Sequence, residues 1–173
     1  MSETLASAEL AAISEAERRE VEDFLYKEAR LADESRYSEW ENLVDDDMFY
    51  WIPLGEGDYD RSRRVSITAD NRSRLANRIK QLNTGARHSQ IPPSPMRRLI
   101  SNIELARRND AEYQVGYNFV LHEMRIQSTG HLEIWAGRID LHLRRKQDGL
   151  RMFFKRVSLI NSQSPLPSIG FIL

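Results

Sequence analysis

The chain has 173 residues, 40% hydrophobic and 29% charged, enough for one domain with a proper core. Lys plus Arg number 25 against 26 Asp plus Glu, a balance that argues against nucleic acid or an anionic membrane as the main partner, since both reward a net positive field. There is no cysteine, which excludes disulfides, thiolate zinc sites, Cys-ligated iron–sulfur clusters and cysteine nucleophiles, and suits the cytoplasm.

Residues 1–15 are small and polar and are expected to form a mobile leader, with a single domain over 16–173. No basic stretch precedes an apolar core here, so no signal peptide is predicted, and no apolar run is long enough to span a bilayer. Val21, Phe24, Leu25, Glu28, Ala29 and Ala32 follow helical spacing, all apolar but Glu28, and predict a first helix. Asp33, Glu34 and Ser35 predict a break and an N-cap for a second, shorter helix. Tyr37, Trp40, Leu43 and Val44 form the stripe of that helix, and Asp45-Asp46-Asp47 end it. Met48–Leu54 is aromatic, stops at Pro53 and reads as a strand.

Gly55–Arg64 reads as a loop and Arg64–Thr68 as a short strand. Asp70 is the expected N-cap of a helix holding Leu75, Ile79 and Leu82 and closed by Gly85. Pro92, Pro93 and Pro95 predict an extended connection. Strands follow near Met96–Arg107, Glu112–Ile126, His131–Arg145 and Leu150–Ser162, separated by short turns that favour antiparallel neighbours. Helices and short strands first, then a long curved meander, make an α+β fold.

In the third long strand, Trp135, Ile139, Leu141 and Leu143 share one face. The other carries Leu132, Ile134, Ala136, Arg138, Asp140 and His142. Solvent would not require Leu132 and Ile134, and a core would not accept Arg138 and Asp140 unless they were paired. Unbroken alternation in the last strand puts Arg151, Phe153, Lys155, Val157 and Leu159 on one side. Leu150, Met152, Phe154, Arg156, Ser158 and Ile160 fall on the other. Two mixed faces suggest a sheet covered by its own helices on one side and by another subunit on the other, although a lone domain with a ligand pocket gives the same pattern.

Four segments then point to a family: FLYKEARLADESRYSEWENLVDDDMFYWIPL (Phe24–Leu54), PPSPMRRLISNIEL (Pro92–Leu105), WAGRIDLHLRR (Trp135–Arg145) and FKRVSLINS (Phe154–Ser162). In this order and spacing, over nearly all of the chain from Val21 on, they resemble the small (beta) subunit of bacterial aromatic-ring-hydroxylating dioxygenases, the Rieske non-haem iron oxygenases. The resemblance implies a cone-shaped fold of the nuclear-transport-factor-2 or ketosteroid-isomerase type, a strongly curved, mostly antiparallel sheet with N-terminal helices packed on one face. It implies assembly with a large (alpha) subunit as three of each, the small subunits forming a trimeric base. The large subunit would hold the Rieske 2Fe-2S cluster and the catalytic iron, with electrons drawn from NAD(P)H through a reductase and oxygen added to an aromatic ring. This chain would be structural and carry no cofactor.

The residues themselves offer little chemistry. A Rieske centre needs two Cys and two His, and non-haem iron needs two His and a carboxylate. Of His88, His122, His131 and His142, no pair has helical metal-ligand spacing, and His131 and His142 fall on opposite faces of one strand. Asp45-Asp46-Asp47 lacks the Gly and later Glu of a calcium loop and reads as a solvated turn. Basic clusters at Arg61-Arg63-Arg64, Arg97-Arg98, Arg107-Arg108 and Arg144-Arg145-Lys146 read as solvated loop ends. Mid-strand Arg138, Asp140 and Arg156, with His142 on the same face as the first two, are the candidates for subunit contacts, with intrachain pairing as the alternative. Phe171 and Leu173 in the apolar ending are expected to pack against a strand or a neighbouring subunit. A stand-alone isomerase or dehydratase would need Asp140 or His142 beside Tyr50 or Tyr117, and a small-molecule-binding module is a third reading. Tyr37, Trp40, Phe49, Tyr50 and Trp51 read as core rather than as a pocket lining.

Overall fold

The computed structural model describes residues 12–55, 65–84, 92–126 and 130–173. Helix α1 spans Glu15–Asp33 and opens on a capping box: the Ser14 hydroxyl accepts from the Glu17 amide, and the Glu17 carboxylate accepts from the Ser14 amide. Its buried stripe includes Val21, Phe24, Leu25, Ala29 and Ala32, with Glu28 equally buried among them. The helix runs through Asp33, and the chain then turns at Ser35, whose φ is 55°. Helix α2 is Tyr37–Glu41, with Arg36 at its N-cap and no side-chain cap bond. The cap expected from Asp33, Glu34 or Ser35 is therefore not made, and Asp33 ends α1 with its carboxylate held by Arg98.

Strand β1 covers Val44–Pro53, so Val44 and the three aspartates lie in a strand rather than in a helix and its end. Strand β2 is Ser66–Asn71, and α3 is Arg72–Asn83 with Leu75 and Ile79 buried. The N-cap of α3 is Asn71, whose side chain accepts from the Arg74 amide, and not Asp70. Asp70 remains in β2, paired in register with Tyr50, and takes the Arg78 guanidinium at 2.6 Å. Residues 56–64, Gly85 and residues 86–91 lie outside the described residues, as do Ser128 and Thr129.

The long strands are β3 (Met96–Asn109), β4 (Glu112–Met124), β5 (Leu132–Lys146) and β6 (Gly149–Leu159). One sheet of order β2-β1-β6-β5-β4-β3 results, with β1 parallel to β6 and every other neighbour antiparallel. In β5, Trp135, Ile139, Leu141 and Leu143 are buried while the alternate side chains are not, as the pattern predicts.

Strand β6 departs from the unbroken alternation expected of it. His142 pairs with Phe154 and Leu143 with Met152, leaving Phe153 as an extra residue in a bulge. The bulge reverses parity. Leu150 and Met152 before it, and Lys155, Val157 and Leu159 after it, all face the core. The mixed faces expected for this strand are therefore one buried face and one open face. The parity change between Leu150/Met152 and Val157/Leu159 is the sequence signal of that bulge.

The buried face packs on the helices and on Phe171, Ile172 and Leu173. Phe171 meets Trp135 edge-on at 5.7 Å between ring centroids. The Leu173 amide donates to the Tyr50 hydroxyl, and the Ile172 carbonyl accepts from Arg98. Both Phe171 and Leu173, expected against a strand or a neighbouring subunit, thus lie against strands of their own chain. Within this core, Glu28 accepts from Lys155 Nζ at 2.6 Å and from Trp40 Nε1 at 2.7 Å. Burial alone would raise the Glu28 carboxyl, but the charges of Lys155 and Arg98 outweigh it and hold the group below its ordinary value.

Candidate functional site

The opposite face of the sheet has no helix on it among the described elements, and strand register places its side chains in rows. One row is apolar: Leu99 (β3), Val120 (β4) and Ala136 (β5) are in register, and the Ile160 amide donates to the Ala136 carbonyl at 3.1 Å. Ile134 and Leu132 continue it along β5. Leu99, Leu132, Ile134 and Ile160 are 62%, 58%, 53% and 76% exposed, large values for a set of aliphatic side chains on one surface.

The next rows are charged. Arg138 reaches across β4 to Glu104 on β3, with Nη2 to Oε2 at 2.6 Å. Gly116 makes that reach possible, since a Cβ there would stand 2.3 Å from Arg138 Nη2. Arg156 donates from Nε and Nη2 to Asp140 Oδ2 at 3.0 and 2.7 Å, and its guanidinium lies 6.0 Å from the centre of the Trp51 ring. Arg138, Asp140 and Arg156 are therefore adjacent on the open face and form ion pairs within the chain. A concavity of about 630 Å³ lies beside them, against Ala136, Gly137, Ser158 and Ile160.

The last row is aromatic. His142 sits opposite Phe154 in register, with ring centroids 4.7 Å apart, and Phe154 sits opposite Phe49. Phe153, thrown out by the bulge, lies 5.6 Å from the His142 ring. Arg108 Nη1 stands 2.8 Å from His142 Nδ1. Burial, then the Arg108 charge, push His142 down to about 4. These groups, with Trp51 and Arg156, border a second concavity of about 510 Å³.

Several expectations need correction here. Asp45 is not part of a solvated turn: it is buried and takes Arg144 at 2.8 Å and Lys146 at 3.1 Å. Arg144 also holds Asp47 and Glu112, while Arg145 holds Glu20. Arg107 and Arg108 are neighbours on β3 with different partners: Arg107 bonds Glu17 on α1, and Arg108 bonds His142. Glu17 also accepts from the Tyr113 hydroxyl and, chiefly through that bond, is lowered to about 2. These basic clusters are strand residues tied to distant side chains, acids for all but Arg108, and not loop ends. Arg61, Arg63, Arg64 and His88 lie outside the described residues.

The set needed for a stand-alone isomerase does not assemble. Asp140 and His142 are on the open face, whereas Tyr50 and Tyr117 are buried in the core on the other side, where burial raises both phenols. Among the described residues, no three His, Asp or Glu side chains are grouped to hold a metal, and no helix is long and apolar enough to cross a membrane. A Rieske cluster does not fit this chain, because its two thiolate ligands have no cysteine to come from. The sequence candidates Arg138, Asp140, His142 and Arg156 all lie on this surface, which Glu104, Gly116 and Arg108 reach from other strands; of these three the sequence reading named only Arg108, as part of a basic cluster.

Comparison with known proteins agrees with this architecture. The model of the family described as "Ring hydroxylating beta subunit" matches residues 27–165. The small oxygenase component of the p-cumate 2,3-dioxygenase system of Pseudomonas putida is 34% identical over 159 residues, covering 90% of this chain and 87% of that protein. Among solved structures, the beta subunit of benzoate 1,2-dioxygenase from Burkholderia mallei superposes with a TM-score of 0.72 at 22% identity, covering 94% of this chain and 100% of that one. A nuclear-transport-factor-2-like protein with a cystatin-like fold from Novosphingobium aromaticivorans shares the fold at a TM-score of 0.58 and 12% identity, over 85% and 84% of the two chains. The α+β cone expected from the sequence is thus the fold observed, and the chain belongs to the ring hydroxylating beta subunit family, as a structural subunit of an aromatic-ring dioxygenase.

Proposed function

We propose that this chain carries no catalytic residue itself and supports an iron-containing large subunit that hydroxylates an aromatic ring with O2 and NAD(P)H-derived electrons in the cytoplasm. Residues 16–173 act as one domain in an assembly of three large and three small subunits, with the small subunits as a trimer at its base. The Rieske cluster and the non-haem iron belong to the large subunit. What carries this reading is the contrast between a core closed by the chain's own helices and tail and an open sheet face bearing Leu99, Leu132, Ile134 and Ile160. Aliphatic side chains left this exposed on one face mark a surface that is covered in use. Arg138, Asp140, His142 and Arg156 lie on that face and make contacts across the subunit boundary.

The test is co-expression with a cysteine-containing large subunit, followed by sizing and iron analysis. The expected product is a large coloured complex whose iron stays with the large subunit on dissociation. A colourless monomer or dimer that binds no such partner, or oxidation of an aromatic compound by this chain alone, would overturn the reading.

A further inference from the structure

The aromatic pocket at one end of the open face is rich in hydrogen-bond donors and short of acceptors. Its walls are Phe49, Trp51, Phe153 and Phe154. Arginine has no acceptor atom, so the 2.8 Å contact from Arg108 requires an unprotonated Nδ1 on His142, and the ring proton then sits on Nε2. Among the described residues, that Nε2–H has no hydrogen-bond partner, and Arg108 has no carboxylate within 4.0 Å. The acids at the rim are already engaged, Asp140 by Arg156 and Asp47 by Arg144. The bulge that places Phe153 beside Phe154 gives up regular pairing to build this wall.

We propose that this pocket receives a carboxylate side chain of the large subunit, bound by the guanidinium of Arg108, which the His142 ring holds in place through Nδ1, and shielded by the phenylalanine rings. The proposal rests on the reading of this chain as a subunit of the dioxygenase. A carboxylate is the ligand that takes the remaining N–H groups of a guanidinium side by side and tolerates aromatic walls at its edge. A protein source fits because the pocket continues into the charged and apolar rows of the same face. The large subunit fits better than a second copy, since most described carboxylates of this chain are already tied to its own arginines.

The experiment is a titration of the purified large subunit with wild-type small subunit and with Arg108→Ala, Arg108→Lys, His142→Phe and Arg97→Ala. Arg97 is an exposed cation on the same strand that donates to the Met96 backbone carbonyl, which makes it the control for net charge. Expected are a loss of affinity of about tenfold or more for Arg108→Ala, a smaller loss for Arg108→Lys and His142→Phe, and wild-type affinity for Arg97→Ala. The wild-type advantage over Arg108→Ala should shrink as salt is raised. Urea unfolding of the isolated variants confirms that each remains folded. Equal affinity for Arg108→Ala and wild type would overturn the inference, and so would an equal loss for Arg97→Ala. A loss confined to self-association of the small subunit would show the wrong occupant and overturn it as well. Failure of the wild-type chain to bind any large subunit is a different result: it overturns the proposed function, and this inference with it.

Discussion

The two faces of the sheet use the same kinds of residue to different ends. On the buried face, charges are few and fully enclosed: Lys155 and Glu28 are 0% and 1% exposed and share their bond with Trp40. On the open face, Arg138 and Glu104 form a bond of the same 2.6 Å length with 38% and 72% of their side chains in solvent. Bond length is identical and environment is not. Water screens the second pair and holds each partner well if the other is lost, whereas a survivor of the first would be a bare charge in the core. The buried pair fixes how α1 and α2 sit on β6, while the Arg138–Glu104 pair lies in water across β4.

The sharpest break of this contrast is Lys155→Met. It should cost about 3–5 kcal/mol in urea unfolding, because Glu28 is left uncompensated; adding Glu28→Met should recover a large part of the loss. Next is Phe171→Ala, which removes the ring packed edge-on against Trp135 and should cost about 3 kcal/mol by the same measurement. Arg138→Ala on the open face should change the stability of the isolated chain by less than about 1 kcal/mol. Its effect should instead fall on the yield of assembled complex, with turnover per intact, iron-replete complex unchanged. A large turnover loss in a fully assembled Arg138→Ala complex would contradict a purely structural role for that face.

A separate expectation concerns pH. His142 is lowered to about 4 from an ordinary value of 6.5. It is faced by Arg108 on β3, Glu112 and Gln114 on β4, Asp140 on β5, Phe153, Phe154 and Arg156 on β6, and Asp47 and Phe49 on β1. Above pH 6.5 the ring is neutral in folded and unfolded chains alike. As pH falls from there toward 4, the unfolded chain takes up a proton that the folded chain refuses, so stability is lost across that window. Wild type should therefore lose stability relative to His142→Gln between pH 6.5 and 4, read as the difference in urea midpoint; a parallel pH profile for the two would remove the effect.

How much of this was legible depended on whether the signal was local. The alternation of Trp135, Ile139, Leu141 and Leu143 against Arg138, Asp140 and His142 identified both faces of β5, because a strand's period is carried by neighbouring residues. The family resemblance supplied the cone. Phe171 and Leu173 were expected to be docked, since an apolar ending has little reason to stay in water. Asp45 was misread as part of a helix end because the cations that draw it into a strand, Arg144 and Lys146, lie about a hundred positions away. Glu28 stood out in an apolar stripe, yet nothing near it in sequence named Lys155. The partners of Arg108 and Glu104 were not legible for the same reason: strand register, not spacing, brings them to His142 and Arg138.

The parallel pairing of β1 with β6 has a consequence for how the molecule is made. During translation, α1, α2 and β1 leave the ribosome long before the strand that covers β1's second edge, and Glu28 waits 127 positions for its counter-ion. A nascent chain halted before β6 keeps an aromatic edge, Phe49 to Trp51, with nothing to pair with. Long-range closure of this kind slows folding and leaves incomplete chains prone to aggregate, so the half-synthesised protein is the form most in need of a chaperone.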